Sequence, residues 1–211
     1  MKQLLIITPV KDSIDSTVGT MEAIVAARLD MSHRYVVFND RSTPENTRRL
    51  HREAERLGVE VVDLAVLTDH PSPNYRFVLR HVQRMALSED AAIAIVESDV
   101  TVRPDTLQGL WDGAMAHPDC GIAASVTVDE EGCINYPYEY ARKMQGDVVD
   151  CRKHCSFCCS LLTPALLKAY DFGKLDASKN WFDVTISHES LAAGLHNYLF
   201  LSLPVLHRPH A

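Results

Sequence analysis

The sequence predicts an α/β fold: a single domain with a mostly parallel central sheet flanked by helices and a mixed C-terminal half. Three observations predict it. The run Ala91-Ala92-Ile93-Ala94-Ile95-Val96 is continuously apolar, as a strand covered on both faces must be. Strand-like and helix-like segments alternate from residue 4 to residue 128, the rhythm of a parallel sheet with crossover helices. After Val128 that rhythm breaks into a polar, tyrosine-rich stretch over 130–150. The 211 residues suit one large core, so the reading is one domain, 1–211, with halves 1–128 and 129–211.

Residues 4–8 read as the first strand. Residues 16–29 read as a helix, with Val18, Met21, Val25 and Leu29 spaced along one face. A second strand covers 35–38 and ends at Asn39-Asp40. Residues 44–57 form a polar helix with Pro44 in its first turn, Leu50, Ala54 and Leu57 as its buried stripe, and Gly58 past its end. The valine-rich 59–64 is a third strand, and 69–74 a proline-bearing loop. A helix over 75–87 turns Val78, Val82 and Met85 inward and leads into the apolar strand. Residues 104–116 are a further helix and 121–128 a further strand. In the second half, 156–162 and 198–206 read as strands, and 164–170 and 183–193 as helices.

The net charge of -7 argues against nucleic acid or an anionic membrane as the main partner. No stretch is long and apolar enough to span a bilayer, and the short run before Pro9 reads as a strand rather than a leader. Six cysteines in a chain with a core of this size predict reduced thiols and a cytoplasmic protein.

The chemistry concentrates at strand ends. Glu97 and Asp99 follow the apolar strand, where open α/β sheets bind ligands. If the strand continues, both acids face one way and suit a hard divalent cation that also contacts phosphates. Thr8-Pro9-Val10-Lys11-Asp12 follows strand one, Asn39-Asp40-Arg41-Ser42-Thr43 follows strand two, and Arg103-Pro104-Asp105-Thr106-Leu107 opens the helix after Asp99.

In that order these segments resemble the GT-A fold glycosyltransferases, most closely the inverting family 2 type. The resemblance covers 4 to about 128 well and the remainder loosely. Asn39, Arg41 and Glu97 stand where that family has Asp, Gly and Asp, and the Arg-Trp motif of processive synthases is absent. The resemblance implies transfer of a sugar from a UDP- or GDP-linked donor to a carbohydrate, lipid-linked or protein acceptor, with inversion and with Mn²⁺ or Mg²⁺ as cofactor. It implies that Thr8 and Pro9 shape the base-facing loop and that Asp40 accepts from the nucleobase edge. Asp99 becomes the metal ligand, Glu97 touches the metal or the donor ribose, and His207 is an additional ligand. Asp183 becomes the general base on the acceptor hydroxyl, and Arg76, at a helix start, faces the diphosphate. Plainer readings stand beside these: Asp40 as a turn residue, Asp183 as a helix cap, Arg76 as a solvated first-turn arginine and His207 as a surface histidine.

Three rival functions remain at this stage. A sugar-nucleotide pyrophosphorylase needs a Gly-rich loop after strand one, which Thr8–Asp12 lacks. A non-catalytic module keeping the fold is favoured by the departures at Asn39, Arg41 and Glu97. Cys151, Cys155 and Cys158 have the C-x3-C-x2-C spacing of an iron-sulfur site, and with His154 they offer zinc ligands. The plainer reading is a buried strand carrying Cys155, Phe157, Cys159 and Leu161 on one face.

Overall fold

The structure is a computed structural model and describes residues 3–208. In chain order the first half comprises β1 (Gln3–Val10), α1 (Ile14–Val25), β2 (Ser32–Asn39), α2 (Pro44–Leu57), β3 (Glu60–Asp63), α3 (Leu64–Leu67), α4 (Tyr75–Glu89), β4 (Ala91–Val96), β5 (Val100–Thr101), α5 (Thr106–Ala116) and β6 (Cys120–Val128). The second half adds β7 (Val148–Asp150), β8 (Cys159–Leu162), α6 (Pro164–Ala169), α7 (Phe182–Ala192) and β9 (His196–His207).

The described strands form one sheet in the order β3-β2-β1-β4-β8-β6-β9-β5, with β7 on β9. β3, β2, β1 and β4 pair in parallel. β8 then enters antiparallel between β4 and β6, while β6 and β9 run parallel. The small strands β5 and β7 pair antiparallel with β9. Thus β1, β2, β3, β4, β6 and β9 share one direction, and the sheet is mostly parallel as predicted. All six residues of β4 are buried, which explains their apolar composition. Two apolar layers cover the sheet, one around α4, α6 and α7 and the other around α5 and part of α1.

α2 follows its sequence signals closely. The Thr43 side chain accepts from the Asn46 N–H, Pro44 occupies the first turn, and Gly58 closes the helix at φ +68°. α1 departs from expectation. It ends at Val25, which is 48% exposed, and buries Ile14, Thr17, Thr20, Met21 and Ile24. The two threonines hid this stripe. Their hydroxyls donate to the Ser13 and Val100 carbonyls, so burial leaves no polar atom without a partner.

The cysteine segment departs too. β8 begins only at Cys159, and a turn at 157–158 precedes it. Strand alternation therefore does not reach back to Cys155. Cys155 and Phe157 pack in one apolar layer, and Cys159 and Leu161 in the other. Among the described residues no helix is long and apolar enough to cross a membrane.

Candidate functional site

The carboxyl ends of β1, β2 and β4 open onto a cleft of ≈ 260 Å³, its wall completed by the start of α4. Pro9, Asp40, Glu97 and Asp99 line it, with Lys11 and Tyr75. This is the crevice where strands of an open parallel sheet present their ends to a ligand.

Glu97 and Asp99 reach the cleft by a different route from the predicted one. β4 stops at Val96, and Glu97-Ser98-Asp99 forms a turn closed by Val100 N–H to the Glu97 carbonyl at 3.2 Å. A tight turn, rather than strand alternation, brings the two acids together. Burial, then the Asp99 charge, pushes the Glu97 carboxyl up to about 7.

The second half contributes two further groups. The last residue of β9 is His207, buried, with Nε2 3.7 Å from Asp99 Oδ2. Its Nδ1 is 2.8 Å from the Tyr136 carbonyl, which can only accept. Nδ1 therefore carries a proton, and Nε2 faces the acids. Burial lowers the His207 pKa, but the hydrogen bonds to Asp99 and the Tyr136 carbonyl outweigh it and leave the value raised. Cys158, on the turn before β8, donates its S–H to Glu97 Oε2 at 3.4 Å and lies 4.0 Å from His207 Nε2. One ligand atom from each of Glu97, Cys158 and His207 falls within 4.8 Å of the others. Carboxylate, imidazole and thiol at these separations fit a divalent cation, and the orientation of the histidine is that of a metal ligand.

Asp40 remains in the cleft with a structural duty. Its carboxylate accepts from Ser72 Oγ (2.7 Å), the Asn74 N–H (2.8 Å) and Asn74 Nδ2 (2.7 Å), pinning the loop before α4. Oδ1 receives only one of these bonds, so one lone pair is left for a ligand donor. Next to it, Arg41 has φ +56°, a conformation that favours glycine, and its guanidinium donates to the Thr68 carbonyl. Arg41 thus keeps a glycine-like backbone.

Asp183 sits in the first turn of α7, with Trp181 at the cap position, so it is not the cap that the plainer reading expected. Its Oδ1 accepts from the Val184 N–H at 2.8 Å. Burial raises its pKa, and its charge reaches Glu97.

Two predicted residues lie elsewhere. Thr8 falls inside β1, fully buried, with Oγ1 3.0 Å from the Tyr35 hydroxyl. β1 runs two residues further than predicted, so Thr8 belongs to the core and only Pro9 reaches the cleft. Arg76 donates from Nε to the Leu175 carbonyl (2.7 Å) and from Nη2 to the Gly173 carbonyl (3.2 Å). It lines an adjoining cavity that shares Asn74 and Tyr75 with the cleft, and it ties α4 to the second half.

Two residues of the site were missed. The Tyr75 hydroxyl is buried without a hydrogen-bond partner among the described residues, on the wall of the cleft. Cys158 was read only as part of a cysteine motif. That motif does not converge: Cys151 and Cys155 interact with each other, whereas Cys158 turns to Glu97.

No protein-family model matches the sequence, and no curated protein matches it. Solved structures do match. A mannosyltransferase from Pyrobaculum calidifontis, in complex with GDP-Man and Mn²⁺, superposes with TM-score 0.67 at 15% identity over 96% of this chain. S. aureus TarS 1-349 gives 0.67 at 15% identity over 94%, and a mycobacterial protein 0.66 at 14% over 100%. The chain spans 56%, 57% and 68% of these neighbours' own lengths. At such identity the likeness concerns architecture, and the architecture of this chain is the GT-A glycosyltransferase fold.

Proposed function

We propose that this protein is a metal-dependent glycosyltransferase that moves a sugar from a UDP- or GDP-linked donor to an acceptor hydroxyl with inversion. The observation that carries the reading is the meeting of Asp99, Glu97 and His207 at the strand ends, beside Asp40. Mn²⁺ or Mg²⁺ held by Asp99, Glu97 and His207 would supply positive charge for the departing diphosphate. The Pyrobaculum neighbour, solved with GDP-Man and Mn²⁺, supports this choice of ligands.

The chain's own residues divide the remaining work. Asp40 offers its spare lone pair to a nucleobase N–H, and Pro9 forms the wall facing that base. Tyr75 supplies an unmet hydroxyl to the donor. Asp183 accepts the proton of the attacking hydroxyl, a role suited to a carboxylate whose pKa is raised by burial. The acceptor, carbohydrate, lipid-linked or protein, approaches from the half after residue 128. Six free thiols fit a cytoplasmic setting.

The test is a thermal-shift series with UDP and GDP, each with and without Mn²⁺, followed by sugar transfer and donor hydrolysis assays. Metal-dependent stabilisation by one nucleotide, abolished in Asp99→Ala, is expected. No shift with either nucleotide in the presence of metal would overturn the reading.

A further inference from the structure

We propose that Cys158 is itself a ligand in this centre and that the centre therefore also takes zinc, and binds it more tightly than the manganese or magnesium that serve transfer. The inference rests on the proposed function only in placing the metal at the same acids.

The distances carry it. Glu97 Oε2 to Cys158 Sγ is 3.4 Å, Cys158 Sγ to His207 Nε2 is 4.0 Å, and His207 Nε2 to Asp99 Oδ2 is 3.7 Å. A tetrahedral zinc with bonds of about 2.0–2.3 Å places its ligand atoms roughly 3.3–3.6 Å apart. The ligand atoms of Glu97, Cys158 and His207 lie within 4.8 Å of one another, so modest side-chain shifts bring oxygen, sulfur and nitrogen onto one ion, with Asp99 beside His207. Nothing in an all-oxygen site for magnesium calls for a buried sulfur at this point.

The surroundings prepare the sulfur for that role. Ser156 Oγ accepts from the Cys158 N–H at 3.3 Å and donates to Sγ at 3.2 Å. This donor aims the sulfur lone pairs, as outer-shell partners do in metal sites, while burial and the Glu97 charge keep the thiol protonated until a cation binds. His207 is fixed the same way by the Tyr136 carbonyl. When the ion binds, Sγ loses its proton to the buffer and forms the metal–sulfur bond, with no change in oxidation state. Thiolate and imidazole favour zinc, whereas carboxylate and water alone suit magnesium and manganese.

Cobalt(II) titrated into the full chain tests this, with absorption as the readout. Tetrahedral ligand-field bands are expected, together with a near-ultraviolet sulfur-to-cobalt charge-transfer band. Zinc displaces both, and magnesium or manganese at the same concentration does not. Cys158→Ser loses the charge-transfer band and weakens zinc binding by at least the roughly 10–100-fold that follows loss of an outer-shell partner. Cys151→Ser keeps both properties. If Cys158→Ser does not fold, His207→Asn takes its place, and loss of the band there reports the shared ion. Absence of the band, its survival in the variant, or displacement by manganese as readily as by zinc overturns the inference. Nucleotide binding is measured separately with magnesium. Binding without a sulfur band leaves the transferase reading standing, and a sulfur band without nucleotide binding does the reverse.

Discussion

The two sides of the sheet are built on different terms. On the β3-β2-β1-β4 side every pairing is parallel, and the strand ends open one cleft. On the β8-β6-β9-β5 side parallel and antiparallel pairings mix, β9 shifts register against β6, and a two-residue strand suffices at the edge. The first side supplies the carboxylates of the site, and the second supplies the sulfur and imidazole. The difference teaches that the site belongs to neither side. It exists at the seam where β8 lies against β4, because that pairing brings the turn holding Cys158 up to Glu97.

The largest effect should come from removing a carboxylate at the seam without touching the sheet. Asp99→Ala is expected to lower metal-dependent transfer by about 100- to 1,000-fold, the equivalent of several kcal/mol of charge stabilisation. Its melting temperature should stay near that of the parent chain. A variant that transfers normally would separate the acids from the chemistry.

Glu97 provides a pH test with a definite sign. Its carboxyl is raised from 4.5 to about 7, first by burial and then by Asp99. Between those values the folded chain holds a proton that the unfolded chain has released. Stability is therefore fullest below the unfolded value and falls as pH rises through the folded one, by on the order of 3 kcal/mol in total. Glu97→Gln should flatten that slope. Urea midpoints across this range decide it, and an unchanged slope in the variant would place the titration elsewhere.

How much of this was legible follows the same division. The parallel side announced itself because a strand buried on both faces must be apolar throughout, as 91–96 is. The helix signals around Thr43, Pro44 and Gly58 also act locally, and their positions held. The mixed side depends on turns. The turn at 157–158 sends the residues on its two sides to opposite layers, and no periodicity in 151–162 records that. The site suffered likewise. The meeting of Asp99 and Glu97 could be expected from their strand end, whereas the approach of His207 to Asp99 was implied only by resemblance. The contact of Cys158 with Glu97 joins the two halves, and the partners of Thr8 and Arg76, Tyr35 and two carbonyls near residue 174, are remote in sequence, so none of these could be read locally.

Packing can be tested with glycines in two helices of the first half, one pressed against β9 and one not. Gly113, in α5, faces β9, and an added Cβ would lie 2.2 Å from the Phe200 ring. Gly19, in α1, has nothing within 4 Å of that position. Gly113→Ala is expected to destabilise by about 1–3 kcal/mol through overpacking. Gly19→Ala should instead stabilise by roughly 0.5–1 kcal/mol, the ordinary gain within a helix. Denaturant midpoints of the two variants should move in opposite directions.

Arg76 gives the smallest expected effect on nucleotide binding and the sharpest discrimination between contact and chemistry. A guanidinium facing a diphosphate would be worth a large part of donor affinity, and its loss would appear in nucleotide binding. A guanidinium holding the Leu175 and Gly173 carbonyls instead secures the segment before α7, the helix that carries Asp183. Arg76→Ala should then cost about 1–2 kcal/mol of stability, since two hydrogen bonds from a charged donor are replaced by water at a partly exposed position. Nucleoside diphosphate affinity should be unchanged. Any loss of transfer should appear at the acceptor step, because what is loosened is the placement of the base. Calorimetry with the nucleotide alone separates the two cases: weakened binding would return Arg76 to the donor side, and unchanged binding with slower transfer would assign it to joining the two halves.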